Sequence, residues 1–139
     1  MKDIALGIDI GGTFTKFGFI DKDGKSHFDS SVKTTGHNSI AEYMASLAGS
    51  INDSLRDLGD GFRLAGVGIG APNGNYYNGT IEYAPNLDWK DVVPFVDMFK
   101  KHFDLPMALT NDANAAAIGE MIYGGAKEMK NFVEITLGT

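Results

Sequence analysis

The chain has 139 residues, of which 12 are lysine or arginine and 18 are aspartate or glutamate, so its net charge is −6. This acidic balance argues against a nucleic-acid or anionic-membrane partner, because both need clustered cations. The chain has no cysteine, which excludes disulfides, cysteine nucleophiles and cysteine-ligated metals within it. No apolar run is long enough for a signal peptide or a membrane span, so we expect a cytoplasmic protein.

The first third of the chain predicts an antiparallel meander of three strands. Residues 4–10 form a largely apolar run, and residues 14–20 alternate between apolar and polar positions. Residues 25–33 form a more polar strand that suits the edge of a sheet. Short turns rich in glycine and aspartate separate the three segments, as is typical of strands that are neighbours in one sheet.

A long helix is predicted next. Ser39 and Glu42 form a capping box, and apolar residues then recur at helical spacing as far as Leu58. Gly59 is suited to end this helix. Residues 64–70 predict a strand in which three glycines share one face. Because glycine has no side chain, that face would allow a helix to pack closely on it.

The rest of the chain predicts a hairpin followed by alternating helices and strands. Residues 76–81 form the hairpin around a two-residue turn at Asn78 and Gly79. A helix over 91–103 carries Pro94 in its first turn. The remaining predicted elements are a strand over 106–110, a helix from Asp112 to Gly124 and a strand over 131–137.

This order of elements predicts an α/β fold. The sheet is mixed and five-stranded, with three antiparallel strands first, parallel strands later and helices on its flanks. The last predicted strand runs into Gly138 and Thr139, as the first strand runs into a glycine turn and Thr13. We therefore expect residues 1–130 to form one unit, and residues 131–139 to begin a second, truncated unit.

The turn after the first strand is the first candidate site. Its glycines leave backbone N–H groups bare, which favours an anion nest, and its hydroxyl and lysine side chains add donors. Asp9 is suited to hold magnesium through water, because hard cations prefer oxygen ligands. An ordinary β-turn with nothing bound explains the same residues, so the pattern leaves both interpretations open. The candidate residues are Asp9, Gly11, Gly12, Thr13, Thr15 and Lys16.

The second candidate site lies where the strand over 106–110 meets the next helix, a position at which open α/β sheets bind ligands. Either Asn111 or Asp112 is expected to cap that helix. The functional alternative makes Asp112 a general base toward a substrate hydroxyl, kept anionic by the helix N-terminus. Loops that contain Gly74 and Asn86 carry amides suited to sugar hydroxyls, although ordinary loop chemistry explains each loop when taken alone.

Taken together, these segments resemble the ROK family of sugar kinases and repressors, within the actin/hexokinase/Hsp70 superfamily. The resemblance covers the whole chain in order, and its glucokinase-like members are the most similar. It implies a ribonuclease H-like, actin-like ATPase fold with two lobes, this chain being the N-terminal one. The segments that carry it are Gly7–Thr13, Gly68–Gly74, Ala84–Leu87 and Asn111–Ala116.

The resemblance also implies ligands, roles and partners. It places ATP, Mg²⁺ and a hexose in a cleft between this lobe and a C-terminal lobe, and it implies a homo-oligomer for the complete protein. Asp112 becomes the catalytic base that takes the proton from the 6-hydroxyl of the sugar. One departure from the family pattern is the extra Asn73 between Pro72 and Gly74. The implied sugar-binding residues are Asn86, Asn111, Asp112 and Gly74, and the residues implied to face the ATP phosphates are Gly11, Gly12 and Thr13, with Asp9 near magnesium.

The function implied is ATP-dependent phosphorylation of a hexose, with glucose as the first choice. One alternative is a sugar-sensing transcriptional regulator of the same family. We expect such a regulator to carry a DNA-binding segment before the first strand, which starts here at residue 4. The other alternative is a kinase for a different hexose or an N-acetylated amino sugar, a choice that depends partly on residues beyond Thr139.

Overall fold

A mixed five-stranded sheet organises the chain in the computed structural model, which describes residues 1–137. Its strand order is β3-β2-β1-β4-β8, and a smaller sheet has the order β5-β6-β7. The elements are β1 (Lys2–Ile10), β2 (Phe14–Asp21), β3 (Ser26–Lys33), α1 (Ile40–Leu58), β4 (Phe62–Ala71), β5 (Gly74–Asn75), β6 (Thr80–Glu82), β7 (Val92–Val93), α2 (Phe95–Phe99), β8 (Met107–Asn111) and α3 (Asp112–Tyr123).

The pairing within the large sheet confirms the predicted fold class. β1 pairs antiparallel with β2, and β2 pairs antiparallel with β3. β4 then lies parallel to β1 on the other side, and β8 lies parallel to β4. The carboxyl ends of β1, β4 and β8 therefore meet at the same edge of the sheet, where both candidate sites lie.

One face of the sheet is covered by α1 and holds the core. Alternate residues of β1, from Ile4 to Ile10, are buried against the buried face of α1, which includes Leu47 and Ile51. Half of the predicted capping box is confirmed, because the backbone N–H of Glu42 donates to the hydroxyl of Ser39 over 3.1 Å. The carboxylate of Glu42 accepts from the backbone N–H of Asn38 over 3.2 Å and not from that of Ser39. The predicted end of the helix is also confirmed, since its C-cap is Gly59, with a φ of 91°.

The opposite face of the sheet is only partly covered. The expected close packing of a helix on glycine occurs at Gly70, where an added Cβ would lie 3.3 Å from the Cβ of Ala115 in α3. An added Cβ at Gly68 would meet no atom within 4 Å. α3 buries none of its residues, so it approaches the sheet at its first turn and leaves space along the rest of its length.

The predicted helix over 91–103 is wrong in its extent. α2 covers only Phe95–Phe99, and Val92 and Val93 form the short strand β7. These two valines pair with β6, which fixes their backbone in an extended conformation. A proline ring disfavours a helical conformation at the residue before it, here Val93. The helix therefore begins after Pro94, which is the N-cap of α2 and does not lie within its first turn.

The hairpin near residue 79 is confirmed, but its turn is longer than predicted. Asn75 pairs with Thr80, which leaves a loop of four residues between β5 and β6. The side-chain oxygen of Asn75 accepts hydrogen bonds from the backbone of Tyr77 and Asn78. These bonds stabilise the longer loop in place of the two-residue turn that the Asn-Gly pair predicted.

The predicted strand over 131–137 is also wrong. Residues 132–137 form neither helix nor strand, and Val133, Ile135 and Leu137 are exposed. An apolar alternating segment forms a strand only when a neighbouring strand satisfies its backbone groups, and no strand within residues 1–137 pairs with this one. Gly138 and Thr139, the end of the predicted repeat, lie outside the described residues. None of the helices in residues 1–137 is both long and apolar enough to cross a bilayer.

A buried carboxylate joins the start of β1 to the turn between β2 and β3. The carboxylate of Asp21 lies 2.6 Å from the ammonium of Lys2 and 2.8 Å from Nε2 of His27. It also accepts hydrogen bonds from the backbone of Asp23 and Lys25. The contact with Lys2, followed by that with His27, holds the pKa of Asp21 well below its ordinary value.

This pKa shift predicts that Asp21 stabilises the protein at neutral pH and loses that effect in acid. A carboxyl whose pKa is lower in the folded than in the unfolded chain stabilises the fold above the unfolded pKa. We therefore expect Asp21→Asn to lower the melting temperature at pH 7, and the difference from wild type to shrink as pH falls below about 4. Circular dichroism melts between pH 7 and pH 3 measure this difference. Asp23→Asn, in the same turn, is the control, and a difference independent of pH would contradict the prediction.

Candidate functional site

The junction between β8 and α3 presents the two candidate polar residues in different roles. The side-chain oxygen of Asn111 accepts hydrogen bonds from the backbone N–H groups of Ala113 and Asn114, at 2.9 and 3.3 Å, and so caps the helix. Asp112 is the first residue of α3 and is exposed. Capping therefore accounts for Asn111. Oδ1 of Asp112 also accepts from the backbone N–H of Ala113 over 2.8 Å, which holds the carboxylate at the positive end of the helix.

A cleft of about 1330 Å³ separates the glycine-rich face of the sheet from α3. Asp112 and Thr110 line it at the β8–α3 junction, and Asp9 and Lys16 line it from β1 and β2. Asp9 and Lys16 lie directly opposite each other in the register of these two strands. The structure thus brings Asp9, Lys16 and Asp112 to one cleft. The other predicted site residues are not in its lining, namely Gly11, Gly12, Thr13, Thr15, Gly74, Asn86 and Asn111.

The turn between β1 and β2 does not offer all the donors that the sequence predicted. The N–H of Gly11 donates to the carbonyl of Phe14 over 3.0 Å, so it closes the turn. Neither Gly11 nor Gly12 has a positive φ, which an alternating nest of backbone N–H groups requires. The N–H of Gly11 is therefore engaged within the turn, while Gly12 and the exposed side chain of Thr13 lie at its tip. Anion binding by this turn stays a prediction.

Thr15 does not face the cleft, which corrects its expected role as a phosphate ligand. Its side chain is 0% exposed, because successive residues of β2 point to opposite faces of the sheet. Its hydroxyl lies 2.7 Å from the hydroxyl of Tyr43 and 2.8 Å from that of Thr34. Burial raises the pKa of Tyr43 above its ordinary value, so this hydroxyl stays protonated. Thr15 therefore holds α1 and the segment after β3 to the sheet.

Asn86 approaches the turn between β1 and β2 through its backbone. An added Cβ at Gly12 would lie 2.9 Å from the carbonyl oxygen of Asn86, so only glycine allows this contact. The neighbouring side chains of Ala84 and Leu87 are buried and anchor the loop, while Asn86 itself is exposed. The structure thus places the predicted sugar-binding loop directly against the predicted phosphate-binding turn.

Lys90 is a positioning residue that the sequence did not reveal. Its ammonium donates to the carbonyl of Leu87 over 2.6 Å and to that of Pro85 over 3.3 Å. These two bonds hold the backbone on either side of Asn86. A lysine a few residues after a loop is common on any surface, so its sequence position carried no signal.

Gly74 has a packing role at the same edge of the sheet. An added Cβ would lie 2.5 Å from the carbonyl oxygen of Thr110 and 2.9 Å from the side chain of Leu109. The backbone of β5 therefore lies against the end of β8, two residues before Asp112. Gly74 positions the hairpin by this close contact, which accounts for a glycine there without contact to a ligand.

The residues at the cleft fit a magnesium–nucleotide group in part. Asp9 supplies one carboxylate, and the described residues hold no cluster of three histidine, cysteine, aspartate or glutamate side chains able to bind a metal. Magnesium commonly uses one or two carboxylates together with phosphates and water instead of an all-protein cage. Asp9 and Lys16 therefore fit such a group, whereas the hydroxyl of Thr15 is buried away from it.

Comparison with known proteins gives a family match over almost the whole chain. The model of the ROK family matches residues 5–139. A glucokinase of Streptomyces coelicolor is 36% identical over 138 residues, which are 98% of this chain and 41% of that protein. A putative xylose repressor of a Caldicellulosiruptor species is 40% identical over 76 residues, which are 54% of this chain and 19% of that protein. The chain thus spans about two-fifths of the length of the glucokinase.

A solved structure supports the same fold. A ROK family glucokinase from Streptomyces griseus in complex with glucose and AMPPNP superposes with a TM-score of 0.71 at 30% sequence identity. The superposition covers 90% of this chain and 38% of that one. The five-stranded mixed sheet with its flanking helices is thus the actin-like ATPase fold of the solved kinase.

The buried position of Thr15 predicts a loss of stability when its hydroxyl is removed. Thr15→Val keeps the shape of the side chain but leaves the hydroxyls of Tyr43 and Thr34 without this partner. We expect the free energy of unfolding to fall by about 1–3 kcal/mol, as measured by urea denaturation. Thr13→Val is the matched control, because Thr13 is exposed two residues away, and a change within about 0.5 kcal/mol is expected there. Equal effects of the two changes would refute the structural role of Thr15.

The contact at Gly74 predicts a second loss of stability. Gly74→Ala forces the β5 backbone away from the carbonyl of Thr110, and we expect a cost of about 1–3 kcal/mol, as for other overpacked positions. Gly68→Ala is the control, since its added methyl group meets no atom within 4 Å. Urea denaturation of both variants measures the costs. A Gly74→Ala variant as stable as Gly68→Ala would show that the hairpin does not depend on this contact.

Proposed function

The chain belongs to the ROK family, and we propose that it is the N-terminal lobe of a kinase that transfers the γ-phosphoryl group of ATP to the 6-hydroxyl of glucose. The similarity to a glucokinase over 98% of the chain supports the reaction class. The related structure that holds glucose and AMPPNP supports a hexose and a nucleotide as ligands. We assign residues 131–139 to the start of a C-terminal lobe, and propose that the complete protein is a homo-oligomer.

The position of Asp112 is the observation that carries this proposal. Its carboxylate lies in the cleft at the first turn of α3, where Oδ1 accepts from the backbone N–H of Ala113. A carboxylate oxygen of Asp112 accepts the proton of the 6-hydroxyl as the hydroxyl oxygen attacks the γ-phosphorus, and the bond from phosphorus to the leaving phosphate oxygen breaks.

The neighbouring residues orient the sugar. The side-chain oxygen of Asn111 is used by the helix cap, which leaves its amide N–H groups free to donate to a sugar hydroxyl. Asn86 offers a second amide from the loop that Lys90 holds. Fixing the acceptor hydroxyl close to a base contributes a large part of the rate in phosphoryl transfer, because little covalent chemistry is left to the protein.

The β1–β2 edge of the cleft supplies the groups for the phosphates. Lys16 offers a cation, and Gly12 and Thr13 offer donors at the tip of the turn. Asp9 would hold magnesium through water, and magnesium, when bound, neutralises charge on the phosphates. Asp9 lies on β1, Lys16 lies on β2, and Asp112 follows β8 on the far side of β4. In this proposal the two reactants therefore approach each other across the cleft.

A sugar-sensing regulator is the second candidate function, because one observation favours it. The putative xylose repressor is 40% identical to this chain and the glucokinase is 36% identical, although the repressor match covers only about half of the chain. A regulator would use the same amides to bind sugar but would not need a base. The two candidates therefore differ in whether Asp112 matters for turnover.

We expect Asp112→Asn in the full-length protein to lower kcat by about 10²–10⁴-fold, because the proton acceptor is lost. The amide keeps the size of the side chain, so the Kd for glucose should stay within about threefold. Coupled ADP release across glucose, mannose, fructose, N-acetylglucosamine and N-acetylmannosamine measures turnover, and calorimetry measures binding. Asp29→Asn is the control, since Asp29 lines the same cleft from β3.

Each outcome separates the candidates. Turnover on glucose that Asp112→Asn abolishes supports the kinase and the base together. Full turnover in Asp112→Asn would remove Asp112 from the reaction. Sugar binding without turnover on any sugar, with a sugar-dependent gel shift on DNA, would favour the regulator.

A further inference from the structure

Two adjacent tyrosines are exposed in the loop between β5 and β6. Tyr76 is 62% exposed and Tyr77 is 94% exposed, and their rings meet edge to face with centroids 5.6 Å apart. Aromatic rings carry a large apolar surface, so leaving two of them in water forgoes the stabilisation that burial would give. Such exposure at the edge of a cleft is typical of a surface that binds a ligand.

The loop that carries these tyrosines is held by hydrogen bonds on both sides. The side-chain oxygen of Asn75 accepts from the backbone of Tyr77 and Asn78, at 3.0 and 3.2 Å. The N–H of Gly79 donates to the carbonyl of Asn75, and the carbonyl of Gly79 accepts from the backbone of Val96. The backbone of the tyrosines is therefore fixed, and their rings project from a preorganised loop.

Only one of the two tyrosines lines the cleft. Tyr76 lies among its lining residues with Thr110 and Asp112, and Tyr77 does not. Phe17 is the other aromatic residue in the lining, but it is only 3% exposed and packs in the core. Among the described residues, Tyr76 is thus the one aromatic ring of the cleft that is open to a ligand.

The hairpin places Tyr76 at the acceptor end of the cleft. β5 starts at Gly74, which lies against Thr110, two residues before the proposed base. The amide of Asn73 ties the other end of the hairpin to the carbonyls of Glu82 and Tyr83, shortly before the loop of Asn86. The residues proposed to face the phosphates of ATP, Asp9 and Lys16, lie on β1 and β2. Three strand spacings of about 4.8 Å, or about 14 Å, separate β2 from β8.

We propose that Tyr76 forms the aromatic wall against which the ring of the acceptor sugar packs, so that it determines affinity for a hexose in its pyranose form. This inference rests on the proposed kinase function. A pyranose ring has apolar C–H faces and a polar rim of hydroxyls. The ring of Tyr76 takes a C–H face, and Asp112, which lies in the lining of the same cleft, takes the 6-hydroxyl. The wall fixes the plane of the sugar, which fixes the direction of its 6-hydroxyl toward Asp112.

The test compares Tyr76→Ala, Tyr76→Phe and Tyr77→Ala in the full-length protein. We expect Tyr76→Ala to raise both the KM and the calorimetric Kd for glucose about tenfold, because the stacking surface is lost. Its KM for ATP should stay within about twofold of wild type, which a general loosening of the site would not allow. Tyr76→Phe keeps the ring, and we expect its Kd for glucose within about threefold of wild type. Tyr77→Ala removes the adjacent ring, which lies outside the cleft, and we expect no change in the KM or the Kd for glucose.

Three results would overturn the inference: an unchanged Kd for glucose in Tyr76→Ala, an equal loss in Tyr77→Ala, or a change confined to the KM for ATP. The binding measurement keeps the test separate from the proposed reaction. If the wild-type protein binds glucose without phosphorylating it, the kinase proposal fails while the comparison of Kd values still decides the role of Tyr76. A wild-type protein that binds no hexose in the panel overturns both.

Discussion

Three buried hydroxyls, on Thr15, Thr34 and Tyr43, join the parts of the chain that form the cleft. The hydroxyl of Thr15 contacts the other two, at 2.8 and 2.7 Å, and so links β2 to α1 and to the segment after β3. The ring of Tyr43 lies 4.6 Å from that of Trp89, which follows the loop of Asn86. A buried hydroxyl without a partner is costly, so these contacts specify one arrangement. Through Tyr43, this buried group contacts the segment that follows the loop of Asn86.

Two glycines, Gly12 and Gly74, allow backbone segments to lie in direct contact near the cleft. At Gly12 the backbone of Asn86 occupies the space of a side chain, and at Gly74 the backbone of Thr110 does the same. Both contacts lie at the carboxyl edge of the sheet, where β1 and β8 end. Glycine is used there for proximity of backbones and not for unusual dihedral angles, because neither residue has a positive φ. The turn at Gly12 can lie against the loop of Asn86, and the hairpin can lie against the end of β8, only because glycine has no side chain at these positions.

Local patterns predicted most of the fold, and long-range contacts explain what they missed. Strand alternation and the capping box at Ser39 gave the mixed sheet and α1, since both depend on neighbours in sequence. Asn111 and Asp112 were placed correctly at a strand–helix junction, but only the structure showed that both side chains accept from backbone N–H groups of the first turn. Thr15 was misassigned because its face of β2 depends on register, and a turn motif does not report register. β7 was missed because two residues form a strand only when β6 lies beside them.

The attachment of α3 has a mechanical consequence for the residue at its start. The helix is 12 residues long, or about 18 Å, and its first turn lies against Gly70. At its other end the hydroxyl of Tyr123 donates to the carbonyl of Lys22, in the turn that Asp21 stabilises. No residue between the two ends is buried. Because α3 is held at its two ends, a shift of Tyr123 would change the direction of the whole helix. The orientation of the Asp112 carboxylate is therefore tied to a turn at the opposite edge of the sheet, where β1 begins.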